Sequence, residues 1–171
     1  MVVDSPFTQF VRTPLGGALV IAASVAVTAA TLIWVSRRGH ADRWSRVVAG
    51  GIGAIFVALL NAILGGAGIW HATAYTLPPA VLGSFLLIIA VLLTWMVVFY
   101  RWLRRRPHAR VVSAVLLAVV AILTVLGDES GLARGYIAFG HGYTVWMDAL
   151  VAIAIFIVTV LTYEQVKPRK Q

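Results

Sequence analysis

Long apolar runs separated by short polar segments dominate this sequence. Five runs stand out, from about Leu15 to Ser36, Val47 to Trp70, Ala80 to Trp102, Val111 to Gly127 and Val145 to Tyr163. A helix needs about 20 residues to cross roughly 30 Å of hydrocarbon. All five reach that range, the fourth only just. None alternates polar and apolar positions as a barrel strand does, so backbone hydrogen bonds must close within each run. The pattern predicts an all-α integral membrane protein, a five-transmembrane-helix bundle forming a single membrane domain over residues 1–171. Its one long loop runs over residues 128–144. The six prolines fall outside the expected helix interiors, and Pro78-Pro79 suits the first turn of the third helix.

Composition agrees. The chain is 61% hydrophobic and 12% charged, with a mean hydropathy of +0.93, where a soluble domain carries about 25% charged residues. This excludes a soluble enzyme, a nucleic-acid-binding domain and a disordered tail. Cysteine is absent, which removes disulfides, thiolate zinc sites and iron–sulfur clusters. The first run is read as a membrane helix rather than a signal peptide. It is too long, and positive charge follows it instead of preceding it.

Charge sets the expected orientation. Lys and Arg number 14 against 6 Asp and Glu. The first connection holds Arg37, Arg38, Arg43 and Arg46. The third holds Arg101, Arg104, Arg105, Arg106 and Arg110, and the tail holds Lys167, Arg169 and Lys170. Only Arg12 and Arg134 lie on the other side. Five crossings then put the N-terminus outside and the C-terminus in the cytoplasm. Trp34, Tyr100, Trp102 and Tyr163 at one set of helix ends, with Trp70, Tyr143 and Trp146 at the other, fit interfacial aromatic belts. The arginine clusters are expected to meet anionic headgroups. Arginine over lysine and abundant Ala, Val and Gly point to the plasma (inner) membrane of a prokaryote.

Small residues repeat at steps of four. Gly50, Ala54, Ala58, Ala62 and Gly66 line the second helix, and Ala18, Ala22, Ala26 and Ala30 the first. Such stripes let helices approach closely in lipid, so both are expected at tight contacts, with each other as one arrangement. Asn61 is the one amide deep in a helix and is expected to face protein, as glue between helices.

Candidate chemistry gathers on the outer face. His71 follows the second helix, Asp128 and Glu129 follow the fourth, and His141 sits in the run Gly140-His141-Gly142. Asp148 lies one turn into the fifth helix, where a carboxylate either faces a cavity or partner or interacts with the helix N-terminus. Arg134 is its candidate partner. Asp128, Glu129, His141 and Asp148 are candidate metal ligands, since imidazole and carboxylate suit divalent metals. His71 and His141 are candidate cofactor ligands, for a metal or for a b-type haem. His40 and His108 fall in the arginine-rich connections.

Catalytic signatures are missing: no Gly-x-Ser-x-Gly, phosphate loop, dinucleotide fingerprint or His-Glu-x-x-His. No lysine lies inside a helix, and no pair of broken helices marks a transporter. The first functional expectation is therefore a non-catalytic subunit of a larger membrane complex, respiratory or otherwise redox, with other membrane subunits or further copies of itself as partners and no nucleic acid. A metal- or haem-binding protein with an outer His/Asp/Glu site is the second. A small transporter or channel, with Asn61 and Asp148 along its path, is the third, and an enzyme acting on lipid through Asp128 and Glu129 the fourth.

Overall fold

A computed structural model describes residues 5–37, 42–72 and 77–168. Arg38, His40, Arg169 and Lys170, singled out above, lie outside the described residues. In chain order the elements are α1 (Pro6–Arg12), α2 (Pro14–Arg37), α3 (Arg43–Gly66), β1 (Trp70–Ala72), α4 (Pro79–Leu103), α5 (Ala109–Ala133), β2 (Ile137–Phe139) and α6 (Val145–Val166). The five long helices α2 to α6 are each long and apolar enough to span a membrane. They run up and down, so the arginine-bearing connections share one end. His71, His141 and the strands share the other.

The short α1 was not foreseen. Ser5 accepts a hydrogen bond from Thr8 N at 3.0 Å, and Pro6 opens the first turn, as helix starts favour. Thr13 then caps α2 by accepting from Gly16 N at 3.0 Å. Val11 of α1 packs with Leu77 and Val81, while Phe7 meets Phe85 edge-on at 6.2 Å.

Two helix ends differ from the apolar pattern for a shared reason. The second run was expected to reach Trp70, but α3 stops at Gly66. The fourth was expected to stop at Gly127, but α5 continues to Ala133. Hydrophobicity sets which side chains favour lipid; backbone caps set where a helix ends. Beyond α3, Gly68 adopts φ +69°, Gly68 N donates to Gly65 O at 3.0 Å and Ile69 N to Leu64 O at 2.9 Å. Beyond α5, Gly135 adopts φ +70°, Gly135 N donates to Leu132 O at 3.0 Å and Tyr136 N to Gly131 O at 2.8 Å. Both are Schellman caps, which need a left-handed residue that glycine supplies without strain.

Each cap delivers the chain into a strand. β1 and β2 pair antiparallel, with Trp70 opposite Phe139 and His71 opposite Ala138. The expected loop over residues 128–144 is thus the end of α5, a cap, a strand and a turn.

α4 is the hub, packed against α2, α3 and α6. Its contact with α3 is close: a side-chain carbon on Gly50 would lie 2.6 Å from Ala90 O, and one on Gly53 2.7 Å from Leu93 Cδ1. Gly50 and Ala54 are buried, as a packing stripe should be, whereas Ala62 and Gly66 are exposed and Ala58 is half-buried. α3 therefore packs through only the first half of its stripe.

The α2 expectation is corrected. Ala18, Ala22, Ala26 and Ala30 all face outward, and α2 buries Gly17, Ser24 and Thr31 instead. Those residues recur every seven positions, the period of a seam between two long helices. The partner is chiefly α4 rather than α3, and Trp95 Nε1 donates to Thr31 Oγ1 at 3.2 Å across that seam. Asn61 is half-buried, and its Nδ2 donates to Val57 O one turn back at 2.9 Å. α5 is peripheral. It leans mainly on α6, and its buried residues, Val125, Asp128 and Gly131, all lie in its last third.

Candidate functional site

The two caps and the strand pair build the histidine end. His71 sits in β1. After β2, Gly140 N donates to Ile69 O at 2.8 Å, and a side chain on Gly140 would run into Gly68 O at 2.5 Å. Glycine is thus required where the two segments cross. The chain then turns back through Gly140-His141-Gly142-Tyr143, with Tyr143 N donating to Gly140 O at 3.0 Å. His141 at φ +52° and Gly142 at φ +75° make this a type I′ turn. Asn usually takes the first central position of such a turn, and here histidine does.

This geometry brings the two histidines to one place. A side-chain carbon on Gly68 would lie 3.6 Å from His141 Nε2 and 3.9 Å from His71 Nε2. Both side chains are exposed. Thus the pair expected from the sequence to ligate a cofactor borders a single patch of backbone.

The acidic residues do not join them as one set. Among the described residues, no group of three His, Asp or Glu side chains is placed to hold a metal ion. The expected quartet of Asp128, Glu129, His141 and Asp148 is therefore not assembled. The reason is helical phase: Asp128 and Glu129 are successive residues of α5, so they point in different directions. Asp128 is buried at 8% exposure while Glu129 is exposed. Asp128 has Asp148 of α6 as its hydrogen-bonding and charged neighbour. Asp148 in turn accepts from Tyr143 Oη at 3.0 Å. Burial, reinforced by the charge and hydrogen bond of Asp148, pushes the Tyr143 hydroxyl well above its ordinary value. It stays a donor at every physiological pH. Arg134, the expected partner of Asp148, is exposed. Ionised carboxylates only accept hydrogen bonds, so a bond between Asp128 and Asp148 requires a proton on one of them. Asp128 Oδ2 is buried and meets no hydrogen-bond donor among the described residues.

A polar knot at the arginine end went unforeseen. Asp42, just before α3, accepts from Arg46 Nη2 at 2.8 Å and lies 3.1 Å from Arg101 Nη1 of α4. Its second oxygen accepts from the Tyr163 hydroxyl of α6. Burial opposes its charge, but hydrogen bonds from Arg46 and Tyr163, with the charges of Arg46 and Arg101, prevail and hold the carboxyl at about 2. Arg46 itself is 2% exposed. Nearby, Ser45 Oγ donates to Val166 O at 3.1 Å, and Arg104 pairs with Glu164 at 2.7 Å. The sequence signal was present: Asp42 is the lone acid in the first basic connection, four residues before Arg46, the spacing of a helical ion pair. The knot joins α3, α4 and α6 and serves structure. Outside it, Arg105, Arg106, His108 and Arg110 are exposed, and Arg106 lies over the Trp102 ring at 4.5 Å.

No protein-family model, curated protein or solved structure matches the chain.

Proposed function

We propose that this chain is a non-catalytic multi-pass subunit of a larger membrane assembly. It sits in the plasma membrane of a prokaryote, with the arginine-rich end in the cytoplasm and the histidine end outside. The carrying observation is the outward alanine face of α2. Ala18, Ala22, Ala26 and Ala30 form a smooth stripe that the bundle's own contacts leave uncovered. Small-residue stripes promote helix association in lipid, so further helices, from other subunits or from a second copy, are the fitting occupants. The thin packing of α5, buried only in its last third, supports the same reading.

The intramembrane hydroxyls point the same way. Ser24, Thr28, Thr94, Thr124, Thr159 and Thr162 each donate to a carbonyl four residues earlier in their own helix, at 2.7–3.0 Å. Groups satisfied in this way offer little to a polar solute, which favours a packing role over a transport path. At the cytoplasmic end the exposed arginines meet anionic headgroups, at about 1 kcal/mol per residue.

The test is the mass and composition of the native particle after gentle extraction. Defined additional chains at fixed ratio are expected. A particle holding one copy of this chain alone would sink the proposal. Orientation is tested separately: the chain has no cysteine, so Ser130→Cys should react with an impermeant thiol reagent applied outside, and Arg105→Cys should not.

A further inference from the structure

We propose that His71 and His141 form a two-imidazole site for a borderline divalent metal ion of the copper, nickel or zinc class. Three features of the backbone converge on it. The Schellman cap at Gly68 and the pairing of β1 with β2 set His71 beside the returning chain. Contact between Gly140 and Gly68 leaves no room for a side chain and holds the two segments in register. The type I′ turn then lifts His141 at a left-handed φ of +52°, a conformation that costs a non-glycine residue energy and often marks functional positions. The result is two Nε2 atoms, 3.6 Å and 3.9 Å from the same point above Gly68.

Neutral imidazole nitrogen suits copper, nickel and zinc, whereas hard cations such as magnesium and calcium prefer oxygen. Two protein ligands leave the remaining coordination positions to water, so the site would be open and exchangeable rather than a closed structural centre. The geometry suits a small ion better than a haem. Both nitrogens lie close to the chain at Gly68, 3.6 Å and 3.9 Å from where a side-chain carbon would stand, and a porphyrin is far wider than an ion. Asp128 and Asp148 are engaged with each other and with Tyr143 and play no part in this site. Because both ligands come from one chain, the site is complete without a partner, and a single-copy particle would leave this inference standing.

The experiment uses the full-length, tag-free chain in nanodiscs, titrated with copper(II) and followed by calorimetry and electron paramagnetic resonance. One ion per chain is expected, with a hyperfine pattern from two coupled nitrogens. His71→Ala and His141→Ala should each weaken binding by at least the roughly tenfold that losing even an outer partner of a metal ligand costs. His40→Ala and His108→Ala should leave it unchanged. A single-nitrogen spectrum from the unaltered chain would overturn the proposal, whether or not the variants fold. Unchanged affinity in the variant lacking both His71 and His141 would do the same.

Discussion

The two ends of the bundle handle buried charge in opposite ways. At the arginine end, Asp42 gathers Arg46, Arg101 and Tyr163, so its two oxygens meet donors from three helices. At the histidine end, Asp128 and Asp148 turn two acceptors toward each other, with Tyr143 as the donor beside them. Breaking a buried pair leaves a charge stranded and costs far more than the pair contributes. Removing one of two facing acids relieves repulsion instead. The same chemical change, Asp to Asn, should therefore have opposite signs at the two ends.

The largest effect is expected from Asp42→Asn. It strands Arg46, which has almost no access to water, and should cost about 3–5 kcal/mol of unfolding free energy in detergent. Unchanged stability would mean that the knot carries no weight. The pH dependence has a definite sign. Because the folded state holds the Asp42 carboxyl at about 2, below its ordinary 3.8, its contribution is complete above about pH 5 and is lost progressively as pH falls through about 2. Asp42→Asn should flatten that part of the acid-unfolding profile.

The histidine end depends on backbone more than charge. Gly68→Ala and Gly135→Ala each force a side chain into the left-handed region, at about 1–2 kcal/mol apiece. Space is not the obstacle at Gly68, where the added carbon meets its neighbours at ordinary contact distance. Thermal unfolding should show both losses, and Gly68→Asn, which tolerates this conformation better, should recover part of the first.

Asp128→Asn sharpens the comparison most directly. The amide places an N–H against Asp148 and needs no shared proton, so stability at neutral pH should rise by about 1 kcal/mol. A loss comparable to that of Asp42→Asn would show that the two ends are alike. The smallest effect is expected at the outward face of α2. Ala22→Leu should change the isolated chain by less than about 0.5 kcal/mol, while lowering the yield of the native assembly. A large loss of stability in the isolated chain would place Ala22 inside the bundle.

Five membrane-length helices were legible in the sequence because burial in lipid is written in side-chain polarity, one residue at a time. Their number and approximate centres followed from runs such as Ala80 to Trp102. The packing faces were not legible in the same way. The α2 stripe from Ala18 to Ala30 and the α3 stripe from Gly50 to Gly66 look alike in sequence, yet one faces outward and the other packs only through its first half. Spacing shows which residues share a face, but not which face has a neighbour.

The candidate site divides along the same line. The sequence alone marked His71, His141, Asp128 and Asp148 as chemistry gathered at one end of the bundle. Only the tertiary structure divided them into a histidine pair and an acid pair. Glycine caps and helical phase set directions locally, and the strand register then joins residues far apart in the chain. Polarity is a property of each residue and can be read in order. Proximity belongs to the folded backbone, which here turns at Gly68, Gly135 and Gly142.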